Sequence, residues 1–152
     1  MPPIKLIVID SAQREDLDDV LELLTLRRLP LDGIEDHLDS ALVARRDGVL
    51  VGCAAVEIYP RAGLLRSVAV HPSQEKQGLG GQLVRSCLDL GRLHGLRRIF
   101  LLTESAVEYF TRFGFIKVDR ALVDLPVRES VEFTTACPDD AQAMVLELAG
   151  PN

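Results

Sequence analysis

The sequence predicts an α/β domain in which helices flank both faces of a mixed sheet of about seven strands. Three observations predict this fold class. Apolar runs of strand length alternate along the 152 residues with segments of helical periodicity. Asp47-Gly48 separates two of these runs, which is a strong signal of a β-hairpin. Another run ends at Val70 and leads through a glycine-rich turn into a helical segment, and residues 1–152 are expected to form one domain.

The expected strands are runs rich in apolar and β-branched residues. Each run is bounded by a turn residue or by a helical segment. Loose alternation of apolar and polar residues in some of them suits a strand that has one face in the core. The expected strands are Ile4–Ile9, Ala41–Arg46, Val49–Tyr59, Leu64–Val70, Ile99–Leu102, Phe115–Val118 and Ala141–Leu148.

The first helix is expected over residues 12–28. Val20 and the leucines around it recur every three or four positions, which places them on one helix face. Asp10-Ser11 supplies side-chain oxygens that can accept hydrogen bonds from first-turn amides, as an N-cap does. Pro30 lacks the amide hydrogen that a continuing helix needs, so the helix is expected to end before it.

Two further helices are expected in the second half of the chain. Residues 78–94 place several leucines and a cysteine on one side and precede Gly95, a typical residue just past a helix C-terminus. Ser105–Arg112 is expected to be a short helix. Residues 121–136 have no clear period, and Pro126 could begin a helix there.

Composition and charge exclude several function classes. The formal net charge of −6 at pH 7 lacks the basic balance that general nucleic-acid binding needs. No apolar run approaches the roughly 20 residues of a membrane span. The first residues lack the layout of a signal peptide, so a cytoplasmic location is expected. The cysteines and histidines are dispersed, so neither a disulfide framework nor a metal site is expected.

The glycine-rich turn predicts an anion site. A strand ends at His71-Pro72, and Gly78-Leu79-Gly80-Gly81 opens a helix. Amides at a helix N-terminus point outward, the helix dipole favours an anion, and glycine allows close approach. The spacing fits neither Gly-x-x-x-x-Gly-Lys-Ser/Thr nor Gly-x-Gly-x-x-Gly. The alternative interpretation is a plain strand–turn–helix with a flexible joint.

The segment Glu75-Lys76-Gln77-Gly78-Leu79-Gly80 resembles the acyl-coenzyme-A loop of the GCN5-related N-acetyltransferases (GNAT), Arg/Gln-x-x-Gly-x-Gly/Ala. The glycines match, and Glu75 departs from the pattern. The resemblance implies the GNAT fold, with a mixed, mostly antiparallel sheet, and acetyl-CoA as cosubstrate. It also implies coenzyme-binding residues: Val68 and Val70 for the pantetheine arm, and Gln77, Gly78, Gly80 and Gly81 for the pyrophosphate. Lys76 is a further candidate because it is a cation within the loop, and the alternative is a solvated position.

The acid and base usual in this family are absent from their expected positions. Leu64 occupies the position of the glutamate on the fourth strand. Phe110 occupies the position of the tyrosine that lies four residues before Gly114-Phe115. Tyr109, one position before Phe110, is the candidate acid. Side chains at adjacent helical positions point about 100° apart, so Tyr109 need not point where the usual tyrosine does. The alternative interpretation of Tyr109 is a half-buried aromatic with its hydroxyl in water.

Arg66 is the candidate anchor for a substrate carboxylate. It lies within an apolar strand and has the parity of Leu64 and Val68, which are expected to face the acyl group. Its planar fork suits a carboxylate. The alternative is a structural ion pair with Glu57. Glu57 is also the candidate catalytic base, directly or through a water, and Tyr59 is a candidate substrate contact.

These departures resemble the arsenic-resistance N-acetyltransferases and, in part, short bacterial N-acetylglutamate synthases. The resemblance is carried by Leu64–Val70, Glu57-x-Tyr59 and Leu101-Leu102-Thr103. It implies acetyl-CoA-dependent acetylation of the primary amine of a small amino-acid-like compound that bears a carboxylate. The alternatives are acetylation of a peptide or protein amine and a non-catalytic acyl-CoA-binding module. Many relatives pair as dimers, so a homodimer is also expected.

Overall fold

Seven strands form one sheet in residues 6–136 and 140–148, the parts of the chain that this computed structural model describes. They are β1 (Ile7–Ser11), β2 (Ala41–Arg46), β3 (Val49–Ile58), β4 (Ala62–Val70), β5 (Arg98–Thr103), β6 (Ile116–Val118) and β7 (Gln142–Glu147). Their order is β1-β2-β3-β4-β5-β7-β6. β4 and β5 are parallel, whereas β1 with β2, β2 with β3, β5 with β7 and β6 with β7 are antiparallel. The expected mixed, mostly antiparallel sheet is confirmed.

The helices lie between these strands and are shorter than the sequence suggested. They are α1 (Leu17–Leu26), α2 (Leu79–Leu93), α3 (Val107–Thr111) and α4 (Leu125–Arg128). α4 has Pro126 in its first turn, as the sequence allowed. In the described residues, none of the helices combines the length and the apolar character that a bilayer crossing requires.

Contacts divide the chain into two compact units. The first unit comprises the described residues up to Ala55 together with Ser67–Cys87. The second unit comprises Val56–Arg66 and the described residues from Leu88 onward. Each unit buries apolar side chains on both faces of its strands.

In the first unit, α1 and α2 cover opposite faces of β3. Cys53 and Ala55 lie in one core cluster with Leu24 of α1. Gly52, which points the other way, is covered by Leu83 of α2, and a Cβ at Gly52 would lie 3.0 Å from the Cδ1 atom of Leu83. The absence of a side chain at Gly52 therefore allows α2 to lie close against the strand.

In the second unit, different helices cover the two faces of β5. Phe100 packs with Val127 of α4 and with Val145 of β7. Ile99, on the opposite face, contacts Gly91 of α2, where a Cβ would lie only 2.7 Å from the Cδ1 atom of Ile99. Helices on both faces of the strands, as the sequence predicts, are thus present in each unit.

The N-cap expected at Asp10-Ser11 is wrong, because both residues belong to β1. The amide of Gln13 instead donates a hydrogen bond of 2.8 Å to the carboxylate of Asp16. A 3₁₀ turn over Arg14–Asp16 precedes α1, which shortens the expected 12–28 helix to Leu17–Leu26. A side chain can accept a first-turn amide only where the strand has already ended, and here the strand extends two residues further along the chain than expected, to Ser11.

The hairpin at Asp47-Gly48 is confirmed. Both residues have positive φ, +52° and +80° respectively, as a type I′ turn requires. The turn joins β2 to β3 with Arg46 paired to Val49. Strand boundaries shift elsewhere by one to three residues: β6 begins at Ile116 rather than Phe115, and β1 covers Ile7–Ser11. Residues 4 and 5 of the first expected strand lie outside the described residues.

Candidate active site

The regular backbone conformation of β4 is interrupted at Ser67. The backbone of Ser67 has a φ of +60°, a left-handed conformation that is uncommon for residues other than glycine. The residue is buried, and its carbonyl accepts a hydrogen bond of 3.3 Å from the thiol of Cys53. A left-handed residue inside a strand is typical of a β-bulge, in which one strand of a pair has an extra residue, and we interpret the interruption at Ser67 as a bulge. The bulge separates the part of β4 that carries Arg66 from the part that carries Val68.

The bulge changes which residues of β4 share a face. Regular alternation along β3 puts Cys53 and Glu57 on one face of the sheet. Ala69 packs in the same core cluster as Cys53, and Arg66 is hydrogen-bonded to Glu57. Arg66 and Ala69, three positions apart, therefore share a face, which strict alternation would forbid. The expectation that Arg66 and Val68 share a face is wrong, because the bulge lies between them.

The turn after β4 has the backbone shape of the predicted anion site. Lys76 and Gly78 have φ of +65° and +79°. A Cβ at Gly78 would have no neighbour within 4 Å, so conformation rather than space favours glycine there. At the start of α2, the amide of Gln82 donates to the carbonyl of Gly78 at 3.1 Å. The amides of Leu79–Gly81 precede this bond and are not used by the helical pattern, which leaves them for an anion.

Side chains from β2 and from the end of α1 hold this turn. The Nη1 atom of Arg46 donates to the Oε1 atoms of Gln74, at 2.8 Å, and Gln77, at 3.3 Å. Arg27, which follows α1, forms an ion pair of 2.8 Å with Glu75. Glu75 is the residue that departs from the family pattern, and it has a cationic partner. Sequence patterns did not indicate Arg46 or Arg27, because their contacts depend on how distant elements pack.

A group of polar side chains is buried in the second unit. Arg66 of β4 donates from Nη1 to the Oε2 atom of Glu57 at 2.8 Å, and its Nε atom lies 3.5 Å from the Oε1 atom of Glu132. The hydroxyl of Tyr59 donates to the Oε1 atom of Glu57 at 2.5 Å. The side chains of Arg66, Glu57 and Glu132 are 0%, 2% and 5% exposed. We call these four residues the buried acidic cluster.

The electrostatics of the buried acidic cluster favour a protonated phenol at Tyr59. Burial raises the pKa of Tyr59, and the hydrogen bond to Glu57 and the charge of Glu57 raise it further, while Arg66 opposes them. At neutral pH the phenol therefore keeps its proton and acts as the donor to Glu57. One guanidinium faces two carboxylates in this cluster, so negative charge is in excess when both are ionised.

Arg66 has the anionic partner that a buried cation requires. The ion pair with Glu57, one of the two interpretations that the sequence allowed, is present, and Glu132 adds a second carboxylate. Binding of a substrate carboxylate by Arg66 stays a prediction. Leu64, which replaces the usual glutamate, is fully buried in the core of the second unit.

Tyr109 lies in an aromatic group on α3. Its ring centroid is 5.2 Å from that of Phe110 and 5.4 Å from that of Phe113, both in edge-on arrangements. The guanidinium of Arg112 lies 5.8 Å from the centroid of Tyr109. Tyr109 and Phe110 are both partly buried but leave the helix in different directions. The role of Tyr109 as a proton donor stays a prediction.

The two described cysteines are unsuited to nucleophilic chemistry. Burial raises the pKa of Cys53 and of Cys87 to about 12, so both are thiols at neutral pH. Cys137 lies outside the described residues. Among the residues that the structure describes, no group of three or more His, Cys, Asp or Glu side chains could hold a metal ion.

Glu132 is the member of the buried acidic cluster that sequence patterns did not indicate. It lies in the segment 121–136, which has no clear period, and it begins a π-helical turn, Glu132–Ala136. Nothing in the sequence distinguishes it from the many exposed acidic residues. Its contact with Arg66 depends on how this segment packs against β4.

Known proteins share the sequence pattern of this chain. Residues 8–115 match the family model described as Acetyltransferase (GNAT) family. An amino-acid acetyltransferase of Aeromonas salmonicida is 31% identical over 128 residues, covering 77% of this chain and 28% of that protein. An amino-acid acetyltransferase of Salmonella typhi is 30% identical over 134 residues, covering 77% and 30%. The chain thus spans less than a third of the length of these relatives.

Solved structures share the fold. N-acetylglutamate synthase from Neisseria gonorrhoeae, complexed with coenzyme A and N-acetyl-glutamate, matches with a TM-score of 0.82 and 23% identity, over 95% of this chain and 36% of that one. A Mycobacterium tuberculosis protein in complex with CoA matches with a TM-score of 0.76 and 24% identity, over 93% and 99%. Because the family model covers most of the chain and the fold agrees, the chain belongs to the GNAT acetyltransferase family.

Proposed function

We propose that this chain is an acetyl-CoA-dependent N-acetyltransferase that acetylates the primary amine of a small amino-acid-like substrate. The hydrogen bond from Tyr59 to Glu57 carries the proposal. It supplies a proton acceptor in a chain where Leu64 and Phe110 replace the usual base and acid of the family. Relatives named amino-acid acetyltransferase support a substrate with an amine and a carboxylate. A cytoplasmic location and a homodimer are part of the proposal.

Backbone amides are expected to hold the coenzyme, and the left-handed turn at Gly78 supports this. A pyrophosphate needs several amides that converge, and the turn before α2 directs amides outward without side chains in the way. The proposed contacts are Val68 and Val70 to the pantetheine arm, Gln77, Gly78, Gly80 and Gly81 to the pyrophosphate, and Lys76 as a neighbouring cation.

Proton removal from the amine is assigned to Tyr59 and Glu57 acting together. The side chain of Glu57 is 2% exposed, so a substrate in solvent reaches it only through another group. Tyr59 is partly buried and is hydrogen-bonded to Glu57. The amine proton passes to the phenol oxygen as the phenol proton moves to the carboxylate. The amine nitrogen then bonds to the thioester carbon, and the carbon–sulfur bond breaks.

Two roles complete the proposed mechanism. The leaving thiolate takes its proton from Tyr109 or from water. Arg66 is the proposed anchor for the substrate carboxylate, and this would require the carboxylate to replace Glu57 or Glu132 on the guanidinium. An unchanged KM for a carboxylate-bearing substrate in Arg66→Ala would contradict that assignment.

The experiment that tests the function measures thiol release from acetyl-CoA by the purified protein against a panel of amines. The panel contains free amino acids, phosphinic and arsinic analogues of glutamate, polyamines and short peptides. Turnover on a carboxylate-bearing amine supports the proposal, and turnover on an arsinic analogue would support the resemblance to arsenic-resistance enzymes. Turnover on peptides alone would contradict the substrate class.

A second candidate is a non-catalytic acyl-CoA-binding module. The apolar residues Leu64 and Phe110 at the usual base and acid positions favour it. This candidate predicts that acetyl-CoA binds in isothermal titration calorimetry while no amine in the panel is acetylated. Turnover that is lost in Tyr59→Phe would exclude it.

A further inference from the structure

Arg46 is a cation that the fold holds beside the glycine-rich turn. It is the last residue of β2, and its side chain is partly buried. Its Nη1 atom donates to the Oε1 atom of Gln74 at 2.8 Å and to that of Gln77 at 3.3 Å. Two hydrogen bonds from one nitrogen set the place of the guanidinium relative to the turn, and neither the coenzyme contacts nor the chemistry proposed above uses this group.

The hydrogen bonds of Arg46 leave its charge uncompensated. Both of its partners are neutral side-chain amides, and within the described part of the chain no carboxylate forms an ion pair with it. An arginine side chain has five N–H donors, of which Nη1 carries two. The donors on Nε and Nη2 have no acceptor among the described residues. A cation that is held in place but not neutralised suits a negatively charged ligand.

Positive charge is in excess at this turn, although the formal net charge of the chain is −6. Lys76 lies in the turn, and Arg27 and Arg46 contact it. The nearby acids are Glu75 in the turn and Asp47, which follows Arg46 in the chain. Glu75 forms an ion pair of 2.8 Å with Arg27, so its charge is compensated without Arg46. The local charge therefore favours an anion at the turn.

We propose that Arg46 is a further coenzyme-binding residue, which donates to a phosphate group of coenzyme A through the N–H groups that the turn does not use. The inference rests on the proposed function, in which Gln77 and the glycines after it hold the pyrophosphate. Arg46 is hydrogen-bonded to the side chain of Gln77, so its guanidinium lies against that site. The planar fork of a guanidinium matches two phosphate oxygens. Coenzyme A offers such oxygens on its pyrophosphate and on its 3′-phosphate.

The test compares the dissociation constants of coenzyme A, 3′-dephospho-coenzyme A and pantetheine, measured by NMR titration of the purified protein. Pantetheine has no phosphate and is titrated to millimolar concentrations. Arg46→Gln removes the charge and keeps an N–H donor, whereas Arg46→Lys keeps the charge. We expect Arg46→Gln to weaken the binding of coenzyme A by about 10- to 100-fold and to leave that of pantetheine unchanged. Arg46→Lys should lose less affinity than Arg46→Gln.

The choice of ligands also identifies the phosphate that Arg46 binds. A similar loss for coenzyme A and for its 3′-dephospho form assigns Arg46 to the pyrophosphate, and a loss for coenzyme A alone assigns it to the 3′-phosphate. Arg14→Gln is the matched control, because it removes the same charge from an exposed side chain of the same unit. Arg46 pairs with Ile7 at one end of β1, and Arg14 follows the other end. The control should leave all three dissociation constants unchanged.

Four outcomes would overturn the inference. Unchanged binding of coenzyme A in Arg46→Gln is the first, and equal weakening of pantetheine and coenzyme A is the second, because Arg46 would then act on the protein rather than on a phosphate. The third is an equal loss in Arg46→Gln and Arg46→Lys. The fourth is failure of both variants to fold while Arg14→Gln folds, because Arg46 would then be needed for the structure.

These results are distinguishable from a failure of the proposed function. A loss that depends on phosphate, in a protein that acetylates no amine, would leave the inference standing and contradict the proposed function. Unchanged binding of coenzyme A in Arg46→Gln, in a protein that acetylates an amino acid, would do the reverse. A parent protein that does not bind coenzyme A would contradict both.

Discussion

The hydroxyl of Tyr59 donates a hydrogen bond of 2.5 Å to Glu57, a carboxylate that is almost completely buried. Tyr59 is only partly buried, so it is the member of the pair that solvent can reach. Burial and the neighbouring carboxylate raise the pKa of Tyr59, which keeps its proton on the phenol until a base removes it. In the proposed mechanism, the pair provides a path for a proton from the surface to an interior acceptor.

Tyr59→Phe is expected to lower kcat by about 100-fold, because it removes the group that links the amine to Glu57. The KM for acetyl-CoA should stay unchanged, since the assigned coenzyme contacts are backbone amides near α2. Steady-state kinetics with saturating amine measures both constants. Tyr109→Phe is the comparison variant, and a larger loss there than in Tyr59→Phe would contradict the assigned path.

Arg66→Met is expected to lower the free energy of unfolding by about 3–5 kcal/mol. The variant removes the cation that two buried carboxylates share and fills most of its space with an apolar side chain. Urea denaturation followed by circular dichroism measures the change. Addition of Glu132→Gln to Arg66→Met should recover part of the loss, because one uncompensated charge is removed. A double variant less stable than Arg66→Met would contradict the shared ion pair.

Gly78→Ala is expected to weaken the binding of acetyl-CoA. A left-handed φ of +79° disfavours alanine by about 1 kcal/mol, so the turn should relax and its amides should diverge. Gly48→Ala is a matched control, because its φ is +80° and a Cβ at either position meets nothing within 4 Å. Both variants should lose similar stability, but calorimetry should show weaker acetyl-CoA binding for Gly78→Ala alone. Equal effects on binding would contradict the site.

Asp16 gives the first unit a stability that depends on pH. Burial raises the pKa of Asp16, but the Gln13 amide and Arg45 outweigh it, so the pKa is lowered from 3.8. A lowered folded-state pKa means that this contribution is present above the unfolded value and is lost as pH falls through the folded one. Asp16→Asn should cost about 2 kcal/mol at pH 7. Its unfolding free energy should also fall less steeply than that of the parent below about pH 4.

Urea denaturation at a series of pH values measures how the unfolding free energies of the parent and of Asp16→Asn depend on pH. Asp18→Asn, on the exposed side of α1, is the control and should follow the parent curve. Parallel curves for Asp16→Asn and the parent would show that the hydrogen bonds of Asp16 do not favour its ionised form.

The sequence was sufficient for features that depend on local chemistry. Asp47-Gly48 predicted a hairpin because only a few residues accept two consecutive positive φ angles, and both angles are present. The glycine-rich turn before α2 was also recognisable, because glycine accepts the left-handed φ that Gly78 adopts there. Arg66 lies inside an apolar strand and needs an anionic partner, so Glu57 at the end of the preceding strand could be considered as that partner, and the ion pair is present.

Other features depend on packing that local sequence does not encode. Ser67 adopts a positive φ without being glycine, so nothing in the sequence marked the bulge that separates Arg66 from Val68. Asp10-Ser11 had the residue types of an N-cap but was used by β1. Glu132 reaches Arg66 from a segment without periodicity, and only the assembled second unit brings them together.

The central claim is that this chain transfers an acetyl group from acetyl-CoA to the amine of a small amino-acid-like compound. We would measure it by mass spectrometry with isotopically labelled acetyl-CoA and an amino acid, with Tyr59→Phe as the control protein. The account predicts a labelled N-acetyl amino acid that forms with the parent and falls about 100-fold with Tyr59→Phe. No labelled product from any free amino acid, while acetyl-CoA binds the protein, would contradict it.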